Sequence, residues 1–517
     1  MLSVGINARQ FTTAWIDGTR RRRELVVAVL GIVASLLMSR LVLAIDIAAL
    51  AAIVIPVALI AIGLKPRLGL YLIFAIVLFF DGISLDPFML PGRYISFSLQ
   101  TTLHLTGAIL IPLEMLVLLT ACVWVAQATM RRQIAFRGGA FGRTILLFAG
   151  VLVFAVVRGL ASGANFNYSF WESRFLFGMV LAYVLAANTI RTRAHVRTLT
   201  TLIFVGVGLS AIEAVFRKFA LINNGLLGAA QENWFSHEDV VIWGVLLVLV
   251  FAQSVFGAPR WQRILGPMIA LIAVFAMLVS ERRAGLIAVL IALALFTFAL
   301  VKINRKAFFL IGIPAIIVVA IYLPLFWNNA GTMGQFARAV RSISSSADAR
   351  DAASNAWRDL EAINVRATIA SDPLIGIGFG RPFLQVVTVP DISFFEFWNY
   401  ESHHNILWVW MKTGAFGFIC FFTLMFGGVA RSVWLAKSLR DRELKVFAIV
   451  SMSTIVMALV YCYVDLGLSA TRIPLLIGVV LGTLGVLDRI QQEDSTQAVA
   501  SATATNYAAL RTIRLAS

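Results

Sequence analysis

The sequence contains little charge for its length. Only 13% of its 517 residues are charged and 60% are hydrophobic, whereas soluble domains carry about 25% charged residues. A chain this long and this apolar cannot bury its apolar side chains in one aqueous core. The apolar runs last about 18–25 residues without strict alternation, which is the length of a membrane-spanning helix and not the ten-residue alternation of a membrane barrel.

Cysteine is also scarce, and so are the motifs of several enzyme classes. Cys122, Cys420 and Cys462 all lie in apolar segments and form no C-x-x-C pair, which excludes a disulfide framework and a zinc site of the usual spacing. The sequence has no P-loop, G-x-S-x-G or H-E-x-x-H motif. The predicted outer loops have no D-x-D pair to hold a metal against a diphosphate. We therefore expect neither a metal nor another cofactor.

The net charge of +17 raises the possibility of a nucleic-acid partner. The basic residues, however, stand in short segments between apolar runs, and most of them fall on alternate segments, which is the charge pattern of cytoplasmic loops. We therefore expect no nucleic acid. The same pattern predicts a multi-pass protein of the bacterial inner membrane with both termini in the cytoplasm.

These features predict an all-α, polytopic integral membrane protein with about 14 transmembrane helices and a large, partly helical periplasmic loop. The predicted spans lie near 25–43, 47–64, 68–80, 105–127, 144–161, 173–190, 198–216, 238–256, 264–281, 284–301, 308–326, 404–430, 446–464 and 470–487. The predicted regions are a cytoplasmic segment 1–24, a bundle of about 11 helices over 25–326, the periplasmic loop 327–403, about three helices over 404–487 and a disordered cytoplasmic tail 488–517.

Polar side chains at predicted outer ends of spans are candidates for chemistry. His403 and His404 are adjacent where the long loop re-enters the membrane, and they are either interfacial residues or part of a site. Arg282 and Arg283 stand in a hairpin tip, where they either extend to the headgroups or clamp a phosphate, whose geometry guanidinium matches. Arg174, near the outer end of its span, is placed to join the same anion site.

Three motifs occur in the second half of the sequence: SERRAG at 280–285, DPLIGIGFG at 372–380 and His404-Asn405 followed by ILWVWMKTGAFGF. Together they resemble the motifs of the O-antigen ligase and Wzy-type polymerase superfamily. The His404-Asn405 motif resembles its His-Asn entry to a late helix. DPLIGIGFG at 372–380 resembles its Pro-Leu-x-Gly-x-Gly-x-Gly turn, and SERRAG at 280–285 resembles its Ser-Arg-Gly hairpin. The order of the motifs also matches, and the resemblance covers roughly 265–430.

The resemblance implies a GT-C-like, metal-independent, inverting glycosyltransferase in surface polysaccharide biosynthesis. Its donor would be a glycan on undecaprenyl diphosphate, and its active site would face the periplasm. His404 would be the catalytic base. The residues implied for binding the diphosphate or substrate are Arg283, Arg282, Arg174, Asn405 and His403. The family also has an arginine near a loop tryptophan, and beside Trp357 either Arg350 or Arg358 fills that position.

Several functions stay open on the sequence alone. A ligase would use lipid A-core as acceptor, a polymerase would use a second lipid-linked repeat, and a protein-glycosylating relative is a third option. All three would contact membrane lipids. A secondary transporter or a flippase of lipid-linked sugars is the alternative outside the enzymes, but the large loop and the absence of an obvious internal repeat speak against it.

Overall fold

A computed structural model of the protein describes residues 47–79, 111–130, 136–222, 235–344, 348–390, 397–493 and 496. Helix α1, Ile47–Leu64, belongs to one compact unit, and residues from Pro66 onward form a second. The described residues contain no strand. The predicted segment 1–24, the first predicted span at 25–43 and most of the tail lie outside the described residues.

The second unit contains 11 helices that are long and apolar enough to span a membrane, together with the shorter helix α2, Pro66–Phe79. Of the 13 predicted spans within the described part of the chain, 11 coincide with these helices and two fall on the shorter apolar helices α1 and α2. The polytopic all-α fold is confirmed. The spanning helices are α3 (Leu113–Met130), α4 (Gly142–Ala161), α5 (Phe166–Thr189), α6 (Arg193–Phe219), α7 (Asp239–Phe256), α8 (Arg260–Ser280), α9 (Arg283–Ile303), α10 (Arg305–Leu325), α13 (Asn405–Ser438), α14 (Arg442–Val464) and α15 (Arg472–Glu493).

Three helices extend furthest beyond their predicted bounds. Helix α5 begins at Phe166, ahead of the predicted start near 173. Helix α13 continues to Ser438, beyond the predicted end near 430, and α15 continues to Glu493, beyond the predicted end near 487. Amphipathic extensions of this kind escape a search for apolar runs, because their polar residues lower the mean hydropathy once the helix leaves the predicted span.

Two helices of the long loop lie between α10 and α13. Helix α11 is Gln335–Arg341 and helix α12 is Ala349–Ser371. Helix α12 ends where Asp372-Pro373 follows, because the residue before a proline disfavours the helical conformation. The predicted partly helical character of this loop is therefore confirmed.

Helices α5 and α15 approach each other through small residues. A side chain at Gly478 or Gly482 of α15 would collide with the backbone of α5 near Met179 and Tyr183. Glycines four residues apart on one face let two membrane helices bring their backbones into contact. Together with α7 and α14, this pair forms the buried centre of the bundle, whereas α3 and α10 turn most of their residues outward.

Ion pairs sort the helix ends into two faces. On one face, Arg174 of α5 pairs with Glu114 of α3 at 3.3 Å, and Arg472 at the start of α15 pairs with Asp239 at the start of α7 at 2.6 Å. On the opposite face, the start of α6 pairs with the start of α14. This grouping agrees with the alternation predicted from the charges.

We expect Ser344→Cys, in a cysteine-free background, to react with an impermeant maleimide in intact spheroplasts. Ser344 is an exposed residue of the long loop, which the charge pattern predicts to be periplasmic. Ser438→Cys is the matched control, because Ser438 is exposed at the C-terminal end of α13, which the charge pattern predicts to be cytoplasmic. It should react only after lysis. The reverse result would invert the predicted topology.

Candidate functional site

The arginine hairpin joins α8 to α9 through two residues. Glu281 adopts a left-handed conformation with φ 57°, which lets the chain reverse within the turn. Arg282 follows in an extended conformation and donates from Nη2 to the carbonyl of Phe235 at 2.9 Å. Burial lowers the pKa of Arg282, and the nearby carboxylates of Asp465 and Asp239 partly oppose this effect.

Arg283 points from the hairpin toward the long loop. Its Nη1 atom lies 3.4 Å from Oδ1 of Asp351 in α12. Arg338 of α11 contacts the same carboxylate with two nitrogens, at 3.1 and 3.2 Å. Asp351 is almost fully buried, so one carboxylate fixes both arginines and joins the hairpin to both loop helices.

Arg358 adds a further cation to this cluster. It lies close enough for its charge to act unfavourably on Arg283. No hydrogen bond or ion pair of its side chain is present in the described part of the chain. Asp351 and Asp348 are the carboxylates of this cluster, the latter 3.4 Å from Arg338. The three arginines Arg283, Arg338 and Arg358 therefore exceed the carboxylates, and the cluster has an excess of positive charge. The side chain of Arg350, the other predicted loop arginine, lies outside the described residues.

His403 belongs to a buried network around Glu361 of α12. One oxygen of Glu361 accepts from the Ser402 hydroxyl at 3.1 Å and from the His403 backbone N–H at 2.9 Å. The other lies 3.3 Å from Nδ1 of His403. The His403 ring also meets Trp357 edge to face, with centroids 4.8 Å apart. These contacts commit His403 to protein partners.

His404 sits one residue before the first residue of α13, at the capping position of that helix. Its side chain is mostly buried, and its Nδ1 atom has no hydrogen-bond partner among the described residues. The ring packs edge to face against Tyr463 at the end of α14, with centroids 5.2 Å apart. His404 therefore differs from His403 in presenting a ring nitrogen that no described side chain occupies.

Burial lowers the pKa of His404, and the negative charge of Glu361 and the backbone of Tyr463 oppose only part of this effect. Burial has the opposite effect on Glu401, whose pKa rises well above its ordinary value, and the nearby Glu172 carboxylate raises it further. A neutral imidazole accepts a proton, whereas a protonated carboxyl group does not. The environment therefore favours His404 over Glu401 as a base.

The side chain of Asn405 is enclosed by four hydrogen bonds. Its amide nitrogen donates to the Ser402 carbonyl at 2.8 Å and to the Ser469 hydroxyl at 3.0 Å. Its oxygen accepts from the N–H groups of Leu468, at 2.5 Å, and Ser469, at 3.2 Å. Asn405 thus ties the start of α13 to the loop before α15, an arrangement that favours a positioning role over direct contact with a substrate.

We expect Asn405→Ala to destabilise the protein, because it leaves at least two buried N–H groups without acceptors. Each such group costs about 1–3 kcal/mol, so thermal unfolding in detergent should shift downward by several degrees. Asn355→Ala is a matched control, since that amide donates one bond, to the Ser342 carbonyl. Equal unfolding temperatures for the two variants would contradict the positioning role.

Arg174 stands apart from the hairpin arginines. It pairs with Glu114. Its guanidinium carbon lies 5.1 Å from the ring centroid of Trp171 and 4.8 Å from that of Phe175. Its electrostatic link to the rest of the site runs through Glu401. The structure therefore brings together Arg283 and Arg358, while Arg174 lies beside an apolar cavity of about 280 Å³ between α3, α4 and α5.

The glycine-rich loop after α12 inserts into a break in α13. Gly414 interrupts the helix with φ 66°. At this break, the Lys412 carbonyl accepts from the N–H of Gly378 at 3.1 Å, and the N–H of Ala415 donates to the Pro373 carbonyl at 2.9 Å. Backbone groups released by the kink are thus satisfied by the loop, as the membrane interior requires.

The predicted glycine turn is confirmed, and backbone conformation and close packing explain why these positions are glycine. Gly376, Gly378 and Gly380 all have positive φ, between 72° and 82°, a region that glycine enters without strain. A side chain at Gly378 would collide with the backbone of α4 at Gly159, and one at Gly380 would collide with Ser169 of α5. The loop therefore packs against three helices below the site.

A buried ion pair that sequence reasoning did not assign holds this loop. Lys412 and Glu172 are both fully buried and lie 2.7 Å apart. Glu172 also accepts from the N–H of Gly380 at 2.5 Å, and Lys412 donates to the carbonyl of Arg381 at 2.6 Å. The signal was a lone lysine in the apolar run after His404, since charges within spans require partners.

One comparison with known proteins finds a match over this part of the chain. Residues 268–422 match the sequence model of the family described as O-antigen ligase, Wzy_C. This segment runs from α8 to the middle of α13 and includes the arginine hairpin, both loop helices and the His404 region. A search of curated proteins found no match.

The family match supports membrane glycosyltransferase activity of the ligase or polymerase type in general. It also implies lipid-linked glycan substrates. The predicted resemblance is confirmed: residues 268–422 of this multi-pass membrane protein are similar to the O-antigen ligase family.

Proposed function

We propose that the protein is a metal-independent, inverting glycosyltransferase of the inner membrane. It transfers a glycan from undecaprenyl diphosphate to an acceptor hydroxyl at the periplasmic face. The observation that carries this proposal is that both required groups are linked to helix α12. Asp351 of α12 contacts Arg283, in a cluster where arginines exceed carboxylates, and Glu361 of α12 contacts His403. The adjacent His404 has an Nδ1 atom with no hydrogen-bond partner among the described residues. A base and a diphosphate site are the two requirements of such a transfer.

The transfer is a single displacement. The acceptor oxygen attacks the anomeric carbon while the bond from that carbon to the diphosphate oxygen breaks on the opposite face. His404 takes the hydroxyl proton and later releases it to water. One displacement inverts the anomeric configuration.

The arginines stabilise the leaving group. Arg283 and Arg358 bind the donor diphosphate and absorb the charge that develops as undecaprenyl diphosphate departs. Arg338 keeps Asp351 satisfied while Arg283 turns to the substrate. Arg282, held by the Phe235 carbonyl, supports the hairpin, and Arg174 lies near the membrane-embedded part of the donor.

Transfer by the purified protein should continue in excess EDTA. Arginines supply the positive charge that other diphosphate enzymes take from a divalent cation, so chelation should leave the rate unchanged. The assay uses lipid-linked donor, acceptor and metal-free buffer. Loss of activity that magnesium or manganese restores would contradict this part of the mechanism.

A chromosomal deletion tests which acceptor the protein uses. Accumulation of polymerised but unattached glycan identifies a ligase, whereas accumulation of single lipid-linked repeats identifies a polymerase. Surface glycan of unchanged length and attachment would contradict the proposed function. Complementation by the wild-type chain controls for effects on neighbouring genes.

A further inference from the structure

A basic recess lies on the face opposite the candidate site. It is formed by the C-terminal ends of α7 and α9 and by the turn between α13 and α14, and its volume is about 510 Å³. Arg440, Arg442 and Lys445 line it, and no carboxylate does so in the part of the chain that the structure describes. Within the same part, these three side chains form no ion pair or hydrogen bond.

The turn between α13 and α14 separates its charges by sign. Asp441 lies 2.7 Å from Arg193 and also caps α14. Glu443 lies 2.9 Å from Arg197 and 3.0 Å from Arg193. Both acids therefore form ion pairs with α6. The cations Arg440, Arg442 and Lys445 line the recess, and neither acid does so.

The other residues of the recess complement a lipid headgroup. The Asn304 amide nitrogen supplies a neutral hydrogen-bond donor beside the cations. The Ser254 hydroxyl donates to the Phe251 carbonyl at 2.7 Å and therefore offers its oxygen only as an acceptor. Phe256 and Ile303 add apolar surface at the ends of two membrane helices. Cations, a neutral donor and apolar surface thus meet at the ends of membrane-spanning helices. A phospholipid presents a phosphate, a polar headgroup and the first segments of its acyl chains to such a surface.

We propose that this basic recess binds an anionic membrane phospholipid through its phosphate. Basic pockets between membrane helices are typical sites for anionic headgroups, and a guanidinium pair suits phosphate oxygens. A free phosphate ion has the same charge chemistry but would leave Phe256 and Ile303 unused. The lipid is therefore the ligand that uses the whole recess.

The charges of the recess also have a simpler explanation, and the experiment must distinguish it from lipid binding. Cations near one membrane face set topology, and they favour the carbonyl ends of helices such as α7 and α9. In that case, the recess cations would be equivalent to other exposed cations of the same face. Lys302, Arg305 and Lys306 provide this comparison, because they are exposed, flank the end of α9 and lie outside the recess.

The test is native mass spectrometry of the full chain in detergent. It measures binding of phosphatidylglycerol and of phosphatidylcholine with identical acyl chains. The recess variant is Arg440→Gln, Arg442→Gln and Lys445→Gln, and the matched control is Lys302→Gln, Arg305→Gln and Lys306→Gln. Each variant loses three positive charges from one face. A third arm adds inorganic phosphate to the wild-type complex with phosphatidylglycerol.

We expect phosphatidylglycerol to bind the wild-type chain at least about tenfold more tightly than phosphatidylcholine. The recess variant should lose most of this preference and the control variant should keep it, because only the recess cations converge on one headgroup. Millimolar phosphate should not displace the lipid. Equal loss in both variants would overturn the proposal, as would displacement by phosphate, which would assign the recess to a soluble anion.

Discussion

Replacement of His404 by alanine should reduce the rate of glycan transfer by about 10²- to 10⁴-fold, the range of general-base catalysis. Burial lowers the pKa of His404, so the ring is neutral and able to accept a proton near neutral pH. Its Nδ1 atom has no partner among the described residues, so removal of the ring breaks no hydrogen bond through that atom. Donor binding and membrane insertion should therefore persist, and a transfer assay with purified variants measures the loss.

His403→Ala is the matched control, because it removes a neighbouring imidazole that Glu361 already engages. It should cost less than His404→Ala. The rate of wild-type transfer should rise with pH through a midpoint below the ordinary imidazole pKa of about 6.5, because the base must be unprotonated. The residual rate of His404→Ala should not show this rise. A His404→Ala variant that keeps more than about a tenth of the rate would exclude a base of that strength.

Arg283→Ala should lower transfer at least about tenfold, since a charge-assisted bond to a phosphate contributes about 1.5–3 kcal/mol. The fold should survive, because Arg338 still contacts Asp351 with two nitrogens. Arg283→Lys should recover only part of the loss, as an ammonium group cannot contact two phosphate oxygens in the same fork geometry. Rates at saturating acceptor and varied donor measure the effect.

Arg431→Ala serves as the control for loss of a partly buried arginine. Arg431 pairs with Asp488 at 2.8 Å on the opposite face, so its removal should affect unfolding temperature more than transfer. Full activity of Arg283→Ala at normal protein level would remove Arg283 from the diphosphate site. A loss that is equal in both arginine variants would also contradict the assignment, because it would indicate a general effect on stability.

Local chemistry explains which features the sequence could predict. The two-residue hairpin at Arg282, the end of α12 before Pro373 and the glycine turn at 376–380 each depend on a few adjacent residues. The spans depend on apolar length alone, which the membrane enforces directly. These features agree with the structure, except that α5, α13 and α15 extend further beyond their predicted bounds.

Ion pairs between residues that are distant in the sequence were not predictable in the same way. Asp351 and Glu361 look like ordinary acids on the polar face of a loop helix, yet one fixes Arg283 and the other fixes His403. Arg174 was predicted to join the hairpin arginines, but its partner on α3 is visible only once the helices are packed. Without pairing information, a single sequence identifies charges that need partners but not which partners they find.

The anomeric configuration of the product tests the central claim most directly. A purified wild-type chain is given a lipid-linked donor of known anomeric configuration and an acceptor, and the new linkage is determined by NMR. A single displacement with His404 as base predicts inversion, with one undecaprenyl diphosphate released for each bond formed. Retention of configuration would require a second displacement and would contradict the proposed mechanism.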